Sequence, residues 1–380
     1  MIALYLHFPF CLRKCRYCAF NSSPLPAGEE GKSLATGYVA ALEREIALYA
    51  PLCRGEALGS IYLGGGTPTL LPAELLSRVL AACRRHFLWA EDIEITVEAN
   101  PGTLSPEKLN ALKEAGANRL SIGAQSFHQD ELELLGRVHQ VAETEAAYDA
   151  ARAAGFENIN LDLIYALPGQ TLSRWQENLR RALLLSPEHL SVYGLSLEEG
   201  TPLALDAAAG KIVPCGEEEQ VAMWKETAAA TAAAGYGRYE ISNYARPGRE
   251  CRHNICYWEN RPYLGLGAGA HGFWKRVRYA NEADVCRYVE LLEQGRFPRA
   301  LEEHQTPEQE RTDTVIMGLR LTRGLSRRKF AERFGCSFEE LYGDELAALI
   351  DEGLMEMSEE AVYLTERGRL LANYVLAYFV

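Results

Sequence analysis

LHFPFCLRKCRYC, residues 6–18, sets Cys11, Cys15 and Cys18 in one short loop directly after an apolar run, IALYLHF (2–8), which reads as a strand. Three thiols this close either share a metal or are coincidental. Structural zinc takes four closed ligands, commonly from paired Cys-x-x-Cys knuckles, and no second pair stands at a suitable spacing. An iron–sulfur cubane has four irons, so three cysteines leave one iron with an open coordination position. That position suits a chelating amine and carboxylate.

Working outward from the loop, five more strand-like runs follow, SIYLGG (60–65), IEITVEA (93–99), RLSIGAQ (119–125), NINLDLIY (158–165) and HLSVYGL (189–195). Helical patterns such as TGYVAALEREIALYA, LLSRVLAACRRHF and TLSRWQENLRRALLL separate them, several beginning at Ser, Thr or Pro and ending at Gly. Six βα units in series predict an α/β fold with a parallel sheet curled into a full or partial barrel. Residues 196 to about 300 are less regular, and we read them as a continuation packed on the barrel. From about 305 three helices and the segment LMEMSEEAVYLTERG predict a small winged-helix-like domain. The expected division is 1–240 for the barrel, 241–304 for an extension carrying HNICYW, and 305–380 for the C-terminal domain.

The chain has 380 residues, and its 48% hydrophobic content is enough for a sizeable core. With 52 acidic against 39 basic side chains the net charge is −13, which disfavours nucleic acid and anionic membrane. No apolar run reaches the ~18 residues needed to span a bilayer, and the N-terminus has neither the basic leader nor the cleavage site of a signal peptide. Ten cysteines, mostly scattered singly, fit a reducing cytoplasm better than a disulfide framework.

Further polar residues fall where the runs end. YLGGGTPTLL brings Gly64, Gly65, Gly66 and Thr67 to the tip of the second strand, where glycines would expose backbone N–H and C=O groups. Glu98 and Asn100, then Gln125 and Ser126, then Asp162 follow at three later tips. Strand tips on one face of a βα barrel are where such folds carry their sites. Arg137, in LLGRVH, reads by default as a surface charge on a helical turn.

The spacing CxxxCxxC with Tyr17 before the last cysteine resembles the radical-SAM superfamily, in which the methionine amino and carboxylate groups of S-adenosylmethionine fill the open iron. LHFPFCLRKCRYC, GGGTPT, VEANP, GAQSF, GRVH, LDLIYALPGQT and the winged tail together resemble the oxygen-independent coproporphyrinogen III oxidase family over nearly the whole chain. The resemblance implies that Cys11, Cys15 and Cys18 hold a [4Fe–4S] cluster. It implies contacts to S-adenosylmethionine from Tyr5, Tyr17, Gly65, Gly66, Thr67 and Glu98. Gln125, Arg137 and Asp162 would match contacts to a second such molecule in the oxidase.

Two departures count against the oxidase reaction, the decarboxylation of two propionates of coproporphyrinogen III. The oxidase pattern has a further cysteine where this chain has Phe20, and a long arm before the cluster where only ten residues precede Cys11. HNICYW (253–258) matches the HNxxYW motif of the family's heme-chaperone branch, in which His253 would bind heme. A lone His beside Tyr and Trp is otherwise a hydrogen-bonded core residue, and Cys251 and Cys256 flank it as candidate thiolates. The partners so implied are heme and a heme-accepting protein, with room for a membrane protein met transiently. The basic stretch TRGLSRRKFAERF could suggest DNA binding by the tail, but its acidic neighbours and the overall charge oppose that.

Overall fold

Alternating apolar strands and capped helices build one twelve-stranded sheet in a computed structural model that describes all 380 residues. Strands β1 (Ile2–Phe8), β2 (Ala57–Gly65), β3 (Leu88–Ala99), β4 (Arg119–Gln125), β5 (Ile159–Tyr165) and β6 (His189–Gly194) lie side by side in chain order, all parallel. Crossovers between them carry α1 (Gly28–Tyr49), α2 (Ala73–His86), α3 (Pro106–Glu114), α4 (Val141–Ala153) and α5 (Leu172–Leu184). Local chemistry fixes the helix starts: Ser105 and Thr171 each accept from the backbone N–H three residues on, and Pro106 occupies the first turn of α3. Helices on one face and side chains on the other bury both sides of the strands, so the runs read as nearly continuous apolar sequence.

The irregular stretch after residue 196 supplies both edges of the same sheet. Helix α6 (Glu217–Ala233) leads into strands β7 (Gly237–Arg238) and β8 (Asn243–Ala245), which extend the sheet antiparallel beyond β6. On the opposite side β9 (Tyr263–Leu266) runs parallel to β1, and β10 (His271–Trp274), β11 (Val277–Asn281) and β12 (Arg299–His304) continue antiparallel. The terminal strands β7 and β12 do not pair, so the sheet is a partial barrel. A fully buried carboxylate locks the β9 side in place. Glu45 of α1 accepts from Gly267 N–H (2.8 Å), Tyr288 O–H (2.6 Å) and Asn281 Nδ2 (2.7 Å).

One core of 56 buried residues runs from Ile2 to Leu292. A second, of 15, belongs to residues 315–379, built on α8 (Pro307–Gly318), α9 (Arg327–Phe334) and α10 (Phe338–Asp351). Its sheet joins β13 (Leu325–Ser326), β14 (Met355–Met357) and β15 (Ala361–Leu364) in the order β13-β15-β14. The wing is therefore three-stranded, one strand more than the two expected; Leu325–Ser326 is too short to carry a periodic signal. The basic run of α9 is neutralised internally: Arg327, Arg328, Lys329 and Arg333 pair with Glu339, Glu332, Glu259 and Glu310. No helix is long and apolar enough to cross a membrane.

Candidate functional site

Inward-facing side chains of a strand recur at every second residue, so a curved parallel sheet lines its interior with alternate positions. On β4 these are Arg119, Ser121, Gly123 and Gln125, and on β5 Asn160, Asp162 and Ile164. With Tyr5, Tyr62 and Glu98 from the first three strands they enclose a cavity of about 770 Å³. The cysteine loop closes one end, and His253, Asn254 and Tyr257 meet it at the other side.

Cys11, Cys15 and Cys18 all line this cavity. No three His, Cys, Asp or Glu side chains gather around one point as a mononuclear ion requires, whereas a cubane takes its thiolates on separate irons. A chain of hydrogen bonds spans two of the thiols. Thr67 Oγ1 donates to Cys11 Sγ (3.8 Å) and accepts from Asn100 Nδ2 (2.9 Å). Asn100 Oδ1 accepts from Arg137 Nη2, and Arg137 Nη1 donates to Cys15 Sγ (3.6 Å). The guanidinium also reaches Gly123 O (2.8 Å), so Arg137 lies across the cavity mouth and the surface-charge default for it is overturned. Burial pushes the Cys11 thiol up, partly offset by Ser22 and Thr67.

Glu98 holds its carboxylate between Tyr62 O–H (2.8 Å) and Gly65 N–H (3.0 Å). Burial, helped by nearby Asp162, raises its pKa to about 7. The glycine strip is sterically required: Gly65 has φ +109°, a side chain there would meet the His7 ring at 2.5 Å, and one on Gly66 would meet Phe10 O at 2.5 Å. The expectation of free N–H groups along it is corrected. Gly65 N–H is spent on Glu98, Gly66 N–H on Phe8 O (2.8 Å) and Thr67 N–H on Phe10 O (2.7 Å).

Tyr5 faces the cavity, and its hydroxyl meets His7 Nδ1 at 3.0 Å. Because His7 Nε2 donates to Asn21 O (2.8 Å), Nδ1 is left as the acceptor of the Tyr5 proton. Tyr17 lines the cavity beside the cysteines. Gln125 sits at φ +67°, a backbone state uncommon for a residue with a side chain, at a register shift between β4 and β5. That kink turns the next residue away: Ser126 is fully buried behind the sheet, bonding Glu131 and Asn178, and does not join the strand-tip residues. Asp162 accepts from Asn160 Nδ2 (2.8 Å) and Ser121 Oγ (3.1 Å), and burial raises its pKa.

HNICYW forms the short helix α7 (Arg252–Trp258), whose first turn is capped by Glu94 accepting from the backbone N–H groups of Arg252 (3.0 Å) and His253 (3.1 Å). His253 and Tyr257, one turn apart, point into the barrel. His253 is 1% exposed, with Nδ1 on Ser60 Oγ (2.9 Å) and Nε2 on Tyr257 O–H (2.8 Å). Burial and the charge of Arg119 lower its pKa to about 3, so the ring is neutral. Trp258 faces the other way and stacks under the Arg320 guanidinium of the C-terminal domain at 4.6 Å. Cys251 and Cys256 are buried, and burial pushes their pKa values to about 12 and 11, so they are thiols rather than thiolates.

Comparison with known proteins places this geometry. The model of the radical SAM superfamily matches residues 5–182, and that of the HemN C-terminal domain matches 305–371. The heme chaperone HemW of Bacillus subtilis is 39% identical over 381 residues, covering 100% of this chain and 99% of that protein. HemW of Escherichia coli is 33% identical, covering 100% and 98%. The chain belongs to the HemW family. Among solved structures it resembles coproporphyrinogen III oxidase (HemN) from Escherichia coli, with TM-score 0.85 and 27% identity, covering 100% of this chain and 89% of the other.

Radical SAM membership brings a [4Fe–4S] cluster and S-adenosylmethionine, and the cavity fits both. Three thiols share one mouth, two of them joined by the Thr67–Asn100–Arg137 chain; a half-buried carboxylate, Glu98, is ready to take an ammonium group; and the glycine strip admits no side chains between them. When bound, the pair supplies one-electron chemistry. Sequence reading missed Tyr62, Ser121, Asn160 and Arg119. The one signal for them was the alternation that puts them on the inward face with residues it did single out.

Proposed function

We propose that the protein is a heme chaperone: it binds heme in the barrel cavity and passes it to an acceptor protein, using a [4Fe–4S] cluster and S-adenosylmethionine. The observation that carries this reading is full-length identity to HemW proteins, 31–39% across Bacillus, Haemophilus and Escherichia relatives. Cys11, Cys15 and Cys18 hold the cluster, while Tyr5, Tyr17, Gly65, Gly66, Thr67 and Glu98 surround the bound S-adenosylmethionine. Gln125, Arg137 and Asp162 stand where a second molecule of it would reach. His253 is the heme ligand in this reading, and coordination requires Nε2 to exchange its Tyr257 partner for iron. The acceptor, soluble or a membrane protein met transiently, would approach the barrel and its C-terminal domain, with residues 1–240, 241–304 and 305–380 as the working units.

Close likeness to the solved oxidase favours a second reading, decarboxylation of coproporphyrinogen III. Turnover of that substrate by the reconstituted protein, supplied anaerobically with reductant and S-adenosylmethionine, separates the two. The chaperone reading expects background turnover, and porphyrin formation well above background establishes the oxidase.

A further inference from the structure

Arg119 opens β4 at the end of the barrel away from the cysteine loop. It is 2% exposed and lines the cavity. Its Nε is buried without a hydrogen-bond partner. Burial works against its charge; of the groups around it, Cys251, Glu94, Tyr62 and Tyr239, none hydrogen-bonds it, and the Cys251 thiol and both tyrosine hydroxyls are neutral. Glu94, the one carboxylate of that set, is already engaged by the N-terminus of α7. A buried cation without a directly bonded counter-charge is costly, and an anion inside the same cavity would relieve that cost.

We infer that Arg119 is an anion subsite at the floor of the barrel that takes a carboxylate arm of the tetrapyrrole. This rests on the heme-binding reading above and adds to it the group that recognises the propionates. Distance argues against the methionine carboxylate of S-adenosylmethionine as occupant: six residues of extended β4, about 20 Å, separate Arg119 from Gln125 at the cluster end. The rings of Tyr5, Tyr62 and Tyr257 line the cavity alongside, giving an apolar macrocycle flat surfaces to pack on while its carboxylate meets the guanidinium. Glu98 and Asp162 feel the same guanidinium through space, which lowers their pKa values against burial, but neither hydrogen-bonds it: their oxygens are held by Tyr62, Gly65, Ser121 and Asn160.

Anaerobic titration of the reconstituted protein with heme, and in parallel with its dimethyl ester, reads the subsite without altering the chain. Heme is expected to bind about tenfold more tightly than the ester, or better. In Arg119→Gln that preference collapses toward one, and in Arg119→Lys, which keeps a cation, part of it survives, with iron content as the control for folding. Equal affinity for acid and ester, or an undiminished preference in Arg119→Gln, overturns the subsite and leaves heme binding standing. Should Arg119→Gln not fold, the acid–ester ratio and the Lys variant decide alone. Absence of heme binding by the unsubstituted protein overturns the chaperone reading and the subsite with it.

Discussion

Cys11, Cys15 and Cys18 supply the fewest thiolates that can hold a cubane and leave one iron open, so each should be indispensable. Replacing any one by Ala should abolish bound iron and sulfide after reconstitution, whereas Cys53→Ala and Cys83→Ala should keep it, both thiols being buried away from the cavity. Glu98→Ala should weaken S-adenosylmethionine binding by roughly 1.5–3 kcal/mol with the cluster intact, as equilibrium dialysis would read. Glu45 carries a pH signature. Burial raises its pKa to about 7 from the usual carboxylate value, so the stability it contributes is full below about pH 4.5 and is lost as pH rises through 7. Glu45→Gln should flatten that part of the decline in denaturant midpoint between pH 5 and 8; an unchanged slope would remove Glu45 as its source. Chemistry written in contiguous residues was readable at this scale, as the cysteine loop shows. Arg137 was not, because the groups that give it meaning, Cys15, Asn100 and Gly123, are distant in sequence and meet it only in the fold.

Elements with a full apolar period were legible: each of the six parallel strands lies where its run predicted, and capping residues marked the helices. The short strands that flank these six were not, since β7, β8 and β9 are two to four residues long and their placement depends on pairing with strands far away, as Tyr263 against Ala3. Helix α7 is where motif and structure give the sharpest test. Tyr257 O–H holds the same His253 nitrogen that iron would take, so Tyr257→Phe should preserve or strengthen heme binding. His253→Ala should shift the Soret band or weaken binding. A spectrum unchanged by His253→Ala would leave α7 as a structural floor, its histidine serving Ser60 and Tyr257.

At the scale of the molecule, one large core holds the barrel and a smaller one the C-terminal domain, joined through Arg320 on Trp258 and the cluster of Arg323, Lys329 and Glu259. The two cores were foreshadowed by the change of rhythm near residue 305, where βα alternation gives way to three helices. What composition and periodicity could not supply was the depth of the cavity, because it depends on how far the sheet curls, a sum of small twists that no local pattern encodes. That cavity bears directly on function. The decisive measurement is an anaerobic heme titration of the reconstituted protein, followed by absorbance. Saturation at about one heme per chain, with a Soret band that His253→Ala displaces, is the result the chaperone account predicts. No saturable heme binding, in a protein shown to carry its cluster and S-adenosylmethionine, would contradict it.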